Sequence, residues 1–326
     1  MKKTLCLMAV SLSFVAANDL EKKCNKGNYG ACVDLGVSYA EKKNYLKAKN
    51  VWLKACKNNH INACANLGIL YYEALGVKKD YNKSKEYLTK ACDKNHTIAC
   101  NNLGILYFNA KGMQDYAKAK EYYTKACNND YAAACNDLGY LYQNKLGVKQ
   151  DINKAKELYE KACNGGSDTA CNNLGILYAE GIMMNVNYPK AIEYFTHTCN
   201  KGDIKGCSNL GNLYSIYDDN VKDYNKAAYF LNKACNGGEF GACSNLGNMY
   251  FNGFGVEKDY IKAKNLYKLA CDNNNANGCL NVGLLHNSGL GVDFDIELAK
   301  QYYAKSCKLG IEKACNLYKE LINQKF

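Results

Sequence analysis

Cysteine spacing constrains this 326-residue chain more than any other feature of its sequence. Eighteen of the nineteen cysteines form nine pairs, and the two members of every pair lie eight positions apart. From Cys56 onward the first members recur every 36 residues, apart from one step of 35 between Cys92 and Cys127. A fixed period of this length is the signature of a repeat architecture, in which each unit packs mainly against its neighbours. The chain is therefore predicted to be a tandem array.

The N-terminal residues have the features of an export signal. Lys2 and Lys3 precede a short apolar stretch that ends in small residues, which is the pattern that signal peptidase reads. We predict a signal peptide over residues 1–17 and a repeat solenoid over residues 18–326. Removal of the signal peptide discards the odd Cys6 and leaves an even number of cysteines, as expected in an oxidising compartment. The sequence thus predicts a secreted or periplasmic protein without an integral membrane segment after cleavage.

Each repeat contains two segments with helical periodicity. In the first segment the apolar residues Ala63, Leu67 and Leu70 lie on one helix face. The second segment starts after a good N-cap such as Asp80, and a Leu-Gly-Val turn connects the two. Every repeat is therefore predicted to be a pair of antiparallel helices. A final helix at about residues 312–323 is predicted to cap the array.

The cysteines of a pair must lie on either side of a turn. Residues eight apart in one unbroken helix are about 12 Å apart, which is too far for a disulfide. Turn-forming residues such as Asn164-Gly165-Gly166 separate the two cysteines. Each bridge would add roughly 2–3 kcal/mol by the chain-entropy argument. Zinc knuckles need a shorter cysteine spacing, so we predict no metal and no cofactor. The predicted disulfides are Cys24–Cys32, Cys56–Cys64, Cys92–Cys100, Cys127–Cys135, Cys163–Cys171, Cys199–Cys207, Cys235–Cys243, Cys271–Cys279 and Cys307–Cys315.

A repeated motif carries a family resemblance. The pattern A-C-x-N-L-G-x-L-Y, a glycine turn and D-Y-x-K-A-x-x-Y-x-x-K-A-C is clearest at residues 63–92, 99–127 and 170–199. It resembles the Sel-one-like repeat, a relative of the tetratricopeptide repeat. With its paired cysteines, the chain is similar to the Helicobacter cysteine-rich protein family over roughly residues 20–320. The resemblance implies a right-handed all-α solenoid of about nine antiparallel helix pairs, each clamped by a disulfide. Some members of that family are labelled β-lactamases, and others are regarded as secreted proteins that act on the host. The resemblance extends both expectations to this chain.

The residues themselves contain no catalytic motif. The S-x-x-K, S-D-N and K-T-G elements of a serine β-lactamase are absent. The four histidines, His60, His96, His197 and His286, lie in different repeats and do not cluster as metal ligands would. His60 and His96 occupy equivalent turn positions and are interpreted as surface turn residues. Bridged cysteines supply no nucleophile. Whether the protein is an enzyme stays open, and a penicillin-binding protein with slow β-lactam hydrolysis is the alternative that the resemblance implies.

The basic residues disfavour one class of partner. All 42 are lysines, and the formal net charge is +11. Arginine supplies the bidentate base contacts and the stacking on which nucleic-acid readers depend. The sequence therefore predicts no nucleic-acid partner. The lysines are interpreted as solvated helix faces, with a weak attraction to anionic surfaces as the alternative.

A recurring polar position marks a candidate binding surface. An asparagine or aspartate stands two places after the second cysteine of most pairs, and the same helix face continues three and seven residues further on, for example at Asn212 and Asn248. An amide donates and accepts hydrogen bonds, as a peptide backbone does. We predict a monomer whose concave groove binds a peptide or protein. The alternative is that asparagine is only a favourable polar residue near a helix start. The candidate groove residues are Asn66, Asn102, Asn173, Asn209, Asn245 and Asn281.

Overall fold

The structure is a computed structural model that describes residues 17–181, 185–215 and 221–323. The predicted signal peptide, apart from Ala17, therefore lies outside the described residues. The chain divides into two compact units, Met1–Ala170 and Cys171–Phe326. Each unit is described by itself below.

The described residues form helices and contain no strand. The first unit contains α1 (Ala17–Asn25), α2 (Tyr29–Glu41), α3 (Tyr45–Lys57), α4 (Ile61–Glu73), α5 (Tyr81–Cys92), α6 (Thr97–Asn109), α7 (Tyr116–Asn128), α8 (Ala132–Gln143) and α9 (Ile152–Asn164). Helix α10 (Asp168–Glu180) begins in the first unit and ends in the second. The second unit continues with α11 (Tyr188–Asn200), α12 (Ile204–Tyr214), α13 (Tyr224–Asn236), α14 (Phe240–Asn252), α15 (Tyr260–Asp272), α16 (Ala276–Ser288), α17 (Ile296–Lys308) and α18 (Glu312–Asn323).

The helices alternate between two kinds. The even-numbered ones, called A helices here, contain the second cysteine of a pair near their start, as α4 contains Cys64. The odd-numbered ones, called B helices, contain the first cysteine near their end, as α3 contains Cys56. The predicted all-α solenoid of disulfide-clamped helix pairs is thereby confirmed. Helix α18 covers the residues predicted for a terminal helix, and its capping role stays a prediction.

The disulfides have the short spacing that a turn allows. The Cα atoms of the bridged residues lie 4.5–4.9 Å apart. Cys163 and Cys171 are disulfide-bonded as well. The bridges with this Cα spacing are Cys24–Cys32, Cys56–Cys64, Cys92–Cys100, Cys127–Cys135, Cys199–Cys207, Cys235–Cys243, Cys271–Cys279 and Cys307–Cys315.

Within the described part of the chain, no helix is both long and apolar enough to cross a bilayer.

Aspartate caps start most B helices. The Oδ1 atom of Asp80 accepts a hydrogen bond from the backbone N–H of Lys83 at 2.9 Å, which satisfies one of the donors left free at a helix N-terminus. The loop before this cap contains Gly76 with a φ of +63°. A Cβ atom on Gly76 would lie 2.7 Å from the Cβ of Tyr45 at the start of α3. Only glycine satisfies both the left-handed backbone and this close approach.

A glycine in the middle of each A helix from α2 to α16 makes room for a large side chain of the next B helix. A Cβ atom on Gly104 of α6 would lie 2.5 Å from the ring of Tyr123 in α7, and Tyr123 is fully buried. Trp52 fills the same place against Gly36 in the first repeat. A mid-helix glycine costs stability by itself, and the buried ring beside it offsets that cost. The recurrence of this glycine in the sequence indicates that another group packs close to it. In these two pairs that group is a side chain and not a backbone segment.

Candidate functional site

A continuous groove runs along the A helices of the second unit. Three cavities of about 370, 440 and 360 Å³ follow one another along it. The first and second cavities share Asn212, and the second and third share Asn248 and Asn252. Shared lining residues make the three cavities one elongated surface, which we call the amide groove. Its lining residues are Ile176, Ala179, Glu180, Tyr188, Phe195, Asn209, Asn212, Leu213, Ser215, Tyr224, Leu231, Asn245, Asn248, Met249, Phe251, Asn252, Phe254, Tyr267, Asn281, Leu284, Leu285, Ser288 and Leu290.

Amide side chains of successive repeats are hydrogen-bonded to each other along the groove. The Nδ2 atom of Asn245 donates to the Oδ1 atom of Asn212 at 2.7 Å. One repeat further on, Nδ2 of Asn281 donates to Oδ1 of Asn248 at 3.1 Å. In each bond the donor stands two places after the second cysteine of its pair, and the acceptor stands five places after the second cysteine of the preceding pair. The repeat period therefore places one amide against the next.

These bonds leave complementary groups unused. Among the described residues, Nδ2 of Asn212 and Nδ2 of Asn248 donate to no partner. The Oδ1 atoms of Asn245 and Asn281 accept from none. The groove therefore presents amide donors and amide acceptors from neighbouring repeats, and these are the two kinds of group that an extended peptide backbone can pair with.

A buried tyrosine orients the central amide. The hydroxyl of Tyr267 donates to Oδ1 of Asn248 at 2.7 Å. Burial raises the pKa of Tyr267 far above its ordinary value of 10, so this hydroxyl remains a donor at physiological pH. The ring fits there because the neighbouring position is Gly247, where a Cβ atom would lie 2.6 Å from it. With Oδ1 of Asn248 turned to the tyrosine, the Nδ2 of Asn248 is the group left for a ligand.

The predicted groove residues do not all share one environment. Asn209, Asn245 and Asn281 line the amide groove, and Asn173 is half-buried on α10. Asn66 and Asn102 lie in the first unit, where 0% and 1% of their surfaces are exposed. The prediction treated all six as one polar strip, whereas the structure shows open amides in the second unit and buried ones in the first.

The two units also differ in the amide acceptors that the preceding repeat offers. In two repeats of the second unit the residue five places after the second cysteine is an asparagine, Asn212 or Asn248, which accepts the bond, whereas after Cys171 it is Ile176. In the first unit Ile69 and Ile105 occupy that position and are buried. Because isoleucine has no polar atom, Asn102 has no equivalent acceptor, and among the described residues its Nδ2 is left without a partner.

Two groove residues carry weaker sequence signals. Asn252 lies four residues after Asn248 and donates to the backbone carbonyl of Asn248 at 2.8 Å. Its spacing on the same helix face could have identified it. Tyr267 comes from the B helix and reaches the groove past Gly247. Only the packing of two helices shows that role, so the spacing within one helix could not reveal it.

The histidines at the equivalent turns cap helices. His96 is the N-cap of α6, and its Nδ1 atom accepts a hydrogen bond from the backbone N–H of Ala99 at 3.1 Å. Burial lowers the pKa of His96 from its ordinary value. His60 occupies the same position before α4 without a side-chain capping bond. Both lie in the turn positions that the sequence indicated.

The repeat identifies the class of protein: an α-solenoid of short, disulfide-clamped helix pairs. The chain belongs to the Sel1 repeat family, whose pattern matches residues 61–96, 97–131, 132–167, 168–203, 204–239, 241–275 and 276–311. The Sel-one-like resemblance predicted from the motif is thereby confirmed. A comparison with curated proteins finds no match.

Two solved structures share this fold, and a third protein of known structure is similar in sequence over part of the chain. A Sel1 repeat protein from Oxalobacter formigenes has a TM-score of 0.74 at 21% identity, covering 93% of this chain and 90% of that one. The protein c5321 of uropathogenic Escherichia coli, described as a protective antigen with an SLR fold, has a TM-score of 0.50 at 24% identity, covering 93% and 74%. Cysteine-rich protein B of Helicobacter pylori is 34% identical over 40% of this chain and 92% of its own, with a TM-score of 0.33.

Proposed function

We propose that the protein is an exported repeat scaffold that binds an extended peptide segment of a partner protein in the amide groove. The observation that carries the proposal is the alternation of unused donors on Asn212 and Asn248 with unused acceptors on Asn245 and Asn281. A backbone N–H and C=O entering the groove would each meet a fixed amide of opposite hydrogen-bonding character. The other two candidate residues of the second unit, Asn173 and Asn209, are assigned a supporting role beside these four.

The lining of the groove favours a neutral or weakly basic peptide with apolar side chains. Phe195, Leu213 and Leu284 provide apolar surface between the amides. Glu180 is the single charged residue among the lining residues named above, all of which the structure describes. The chain as a whole has a formal charge of +11, so this groove is a region where its positive charge is not concentrated. That distribution supports an apolar peptide over an anionic ligand here.

The disulfides and the membership of the Sel1 repeat family support the same proposal. Sel1 repeat proteins commonly mediate protein interactions. Disulfides in every helix pair persist in an oxidising environment, which supports a secreted or periplasmic location together with the predicted signal peptide. Rigid helix pairs also lower the entropy lost on binding, because the groove is already formed. We expect the monomer to be the binding form.

No observation on the described residues favours the alternative of β-lactam hydrolysis. All eighteen cysteines from Cys24 to Cys315 are disulfide-bonded, so they offer no thiolate nucleophile. The sequence lacks the serine motifs of that chemistry. The alternative therefore rests on the family resemblance, and a chromogenic β-lactam assay on the oxidised protein tests it directly.

Selection from a random peptide library, with the oxidised mature protein immobilised, tests the proposal. The affinity of each recovered peptide is then measured by calorimetry for the parent protein and for the double variant Asn212→Ala/Asn248→Ala. Two lost hydrogen bonds of about 1 kcal/mol each predict an affinity loss of at least tenfold. The matched control is Asn232→Ala/Asn265→Ala, which removes two exposed amides from B helices of the same unit. Failure to select any peptide, or equal losses in the two double variants, would overturn the proposal.

A further inference from the structure

The single 35-residue step between first cysteines, from Cys92 to Cys127, changes a loop in the first unit. It shortens the loop between α6 and α7 to residues 110–115, one residue less than the equivalent loop at residues 74–80. In the standard loops the glycine packs onto the first tyrosine of the preceding B helix, as Gly76 does on Tyr45 and Gly147 on Tyr116. Gly255 and Gly291 pack on Tyr224 and Tyr260 in the same way in the second unit.

The glycine of the short loop does not make this contact. A Cβ atom on Gly112 would have no heavy atom within 4 Å apart from those of its own residue and its two chain neighbours. The side chain of Gln114 holds the loop in its different course, donating to the carbonyl of Phe108 at 3.0 Å and lying 2.8 Å from the hydroxyl of Tyr116. The start of α5, where Tyr81 is the equivalent tyrosine, is therefore left open.

A cavity of about 890 Å³ lies at this place. We call it the lysine cavity. It is bounded by the loop and helix start at residues 76–83, by the short loop at Lys111, Gly112 and Met113, and by Lys49 and Tyr71. Five lysines from three successive repeats meet there, whereas Asp80 is the only carboxylate among these lining residues. The five are Lys49, Lys78, Lys79, Lys83 and Lys111.

Among the described residues, the positive charge of the cavity is compensated at one lysine only, where the Nζ atom of Lys83 lies 3.9 Å from Oδ2 of Asp80. Within the described part of the chain, the ammonium groups of Lys49, Lys78 and Lys111 form no ion pair, hydrogen bond or cation–π contact. Asp80 is occupied as the cap of α5, where it accepts from the backbone of Lys83. Like charges around a concave surface repel each other, and a cavity lined by one sign of charge attracts ions of the other sign.

Aromatic rings hold two further ammonium groups in place. The Nζ atom of Lys79 lies 5.7 Å from the centre of the Tyr81 ring, and Nζ of Lys83 lies 5.2 Å from the ring of Tyr71. A cation–π contact fixes a lysine while leaving its charge available. Rigid ammonium groups lose less entropy when an anion binds.

The charge is particular to this repeat. The equivalents of Lys78-Lys79 in the other described glycine loops carry less positive charge. They are Lys149-Gln150, Glu257-Lys258 and Asp293-Phe294. The shortened loop and the doubled lysine therefore coincide in one place, which a uniform solvated lysine face would not produce.

We propose that the lysine cavity binds a small ligand that carries several phosphate or sulfate groups. Lysine ammonium groups pair with such oxyanions as point charges. The cavity is separate from the amide groove, so the proposal does not depend on peptide binding.

Calorimetric titration of the oxidised full chain tests the site with two probes, myo-inositol hexakisphosphate and a heparin-derived tetrasaccharide. Binding of the first probe assigns the site to phosphate esters and binding of the second to sulfate esters; both outcomes support the oxyanion class. We expect Lys49→Gln/Lys78→Gln/Lys111→Gln to weaken binding at least tenfold. The control Lys308→Gln/Lys313→Gln/Lys319→Gln removes the same charge from exposed positions of the second unit and is expected to change affinity less than threefold.

A loop replacement separates the shape of the cavity from its charge. Residues 110–114 are exchanged for A-K-G-V-K-K, which is the sequence of residues 74–79 with Lys111 retained; this restores the 36-residue step and adds two lysines. We expect the longer loop to seat its glycine on Tyr81, to close the cavity and to weaken binding at least tenfold despite the higher charge. Thermal unfolding verifies that each variant is folded. Binding of neither probe, equal losses in the two triple variants, or undiminished binding by the loop variant would each overturn the proposal.

Discussion

The Nζ atom of Lys90 donates a hydrogen bond to the carbonyl oxygen of Cys56 at 2.9 Å. Lys90 stands two places before the first cysteine of its own pair, and Cys56 is the first cysteine of the preceding pair. The carbonyl belongs to the last turn of α3, where helix carbonyls lack intrahelical partners and a nearby cation is favourable. The same link recurs as Lys54 to Cys24, Lys125 to Cys92, Lys161 to Cys127, Lys233 to Cys199 and Lys305 to Cys271.

Two repeats lack the lysine, with His197 and Leu269 at the equivalent positions, and the second of them offers a test. Leu269 occupies the equivalent position and is 42% exposed. We predict that Leu269→Lys donates to the carbonyl of Cys235 and raises the free energy of unfolding by about 1 kcal/mol. Urea unfolding measures the gain. Leu269→Met, which is of similar length and uncharged, is the control, and equal stability of the two variants would contradict the prediction.

The contrast between the disulfides and this lysine link shows how far the sequence could lead. The eight-residue spacing predicts a turn between Cys56 and Cys64 because a helix would separate them, and that argument needs one chain segment only. The partner of Lys90 depends on the register between α5 and α3, to which no short-range pattern refers. The same limit explains Asn66, which helix periodicity places on a polar face but which neighbouring helices bury.

Single bridges are predicted to contribute locally. Cys92→Ala/Cys100→Ala removes a bridge that closes an eight-residue separation. The chain-entropy argument predicts a loss of about 2–3 kcal/mol. In a repeat array this loss affects the repeats on either side first, so hydrogen exchange should rise in α5 and α6 more than in α16. A uniform rise along the chain would contradict the local effect.

His96 is predicted to make stability sensitive to mild acid. Its neutral Nδ1 caps α6, and burial holds its pKa below the ordinary value. A group whose pKa is depressed on folding contributes stability above its unfolded pKa of about 6.5 and loses it as pH falls through the folded pKa. His96→Asn retains a capping acceptor that does not titrate. Urea midpoints at about pH 7 and about pH 5 should therefore differ less in His96→Asn than in the parent protein; an unchanged difference would assign the acid sensitivity to other groups.

Tyr303 is predicted to limit stability in alkali. Its hydroxyl is buried without a hydrogen-bond partner among the described residues, and burial raises its pKa to about 12. In the unfolded chain the phenol of Tyr303 ionises at about pH 10. The stability that the neutral, buried phenol contributes is therefore complete below about pH 10 and is lost as pH rises through about 12. Tyr303→Phe keeps the ring beside Gly283 and cannot ionise. Its unfolding free energy should fall less steeply above about pH 10 than that of the parent protein, and an identical slope would contradict this assignment.

Substitution of Asn66 separates an effect on stability from an effect on peptide binding. Both amide atoms of its side chain are buried without a partner among the described residues, and none of its surface is exposed. An unsatisfied buried polar group costs stability, and an apolar side chain of similar shape removes that cost. We predict that Asn66→Leu raises the free energy of unfolding by about 1–2 kcal/mol in urea titrations.

The matched substitution in the amide groove should have the opposite sign. Asn245→Leu removes the bond to Oδ1 of Asn212 and exposes apolar surface at a half-buried position, so it should lower the unfolding free energy. If Asn66→Leu is also destabilising, a partner for the Asn66 amide exists and the burial argument is wrong. If Asn66→Leu is stabilising and weakens peptide binding, the residue is retained for recognition, since proteins tolerate a cost in stability at sites that function requires. Stabilisation with unchanged peptide affinity would instead show that Asn66 takes no part in recognition.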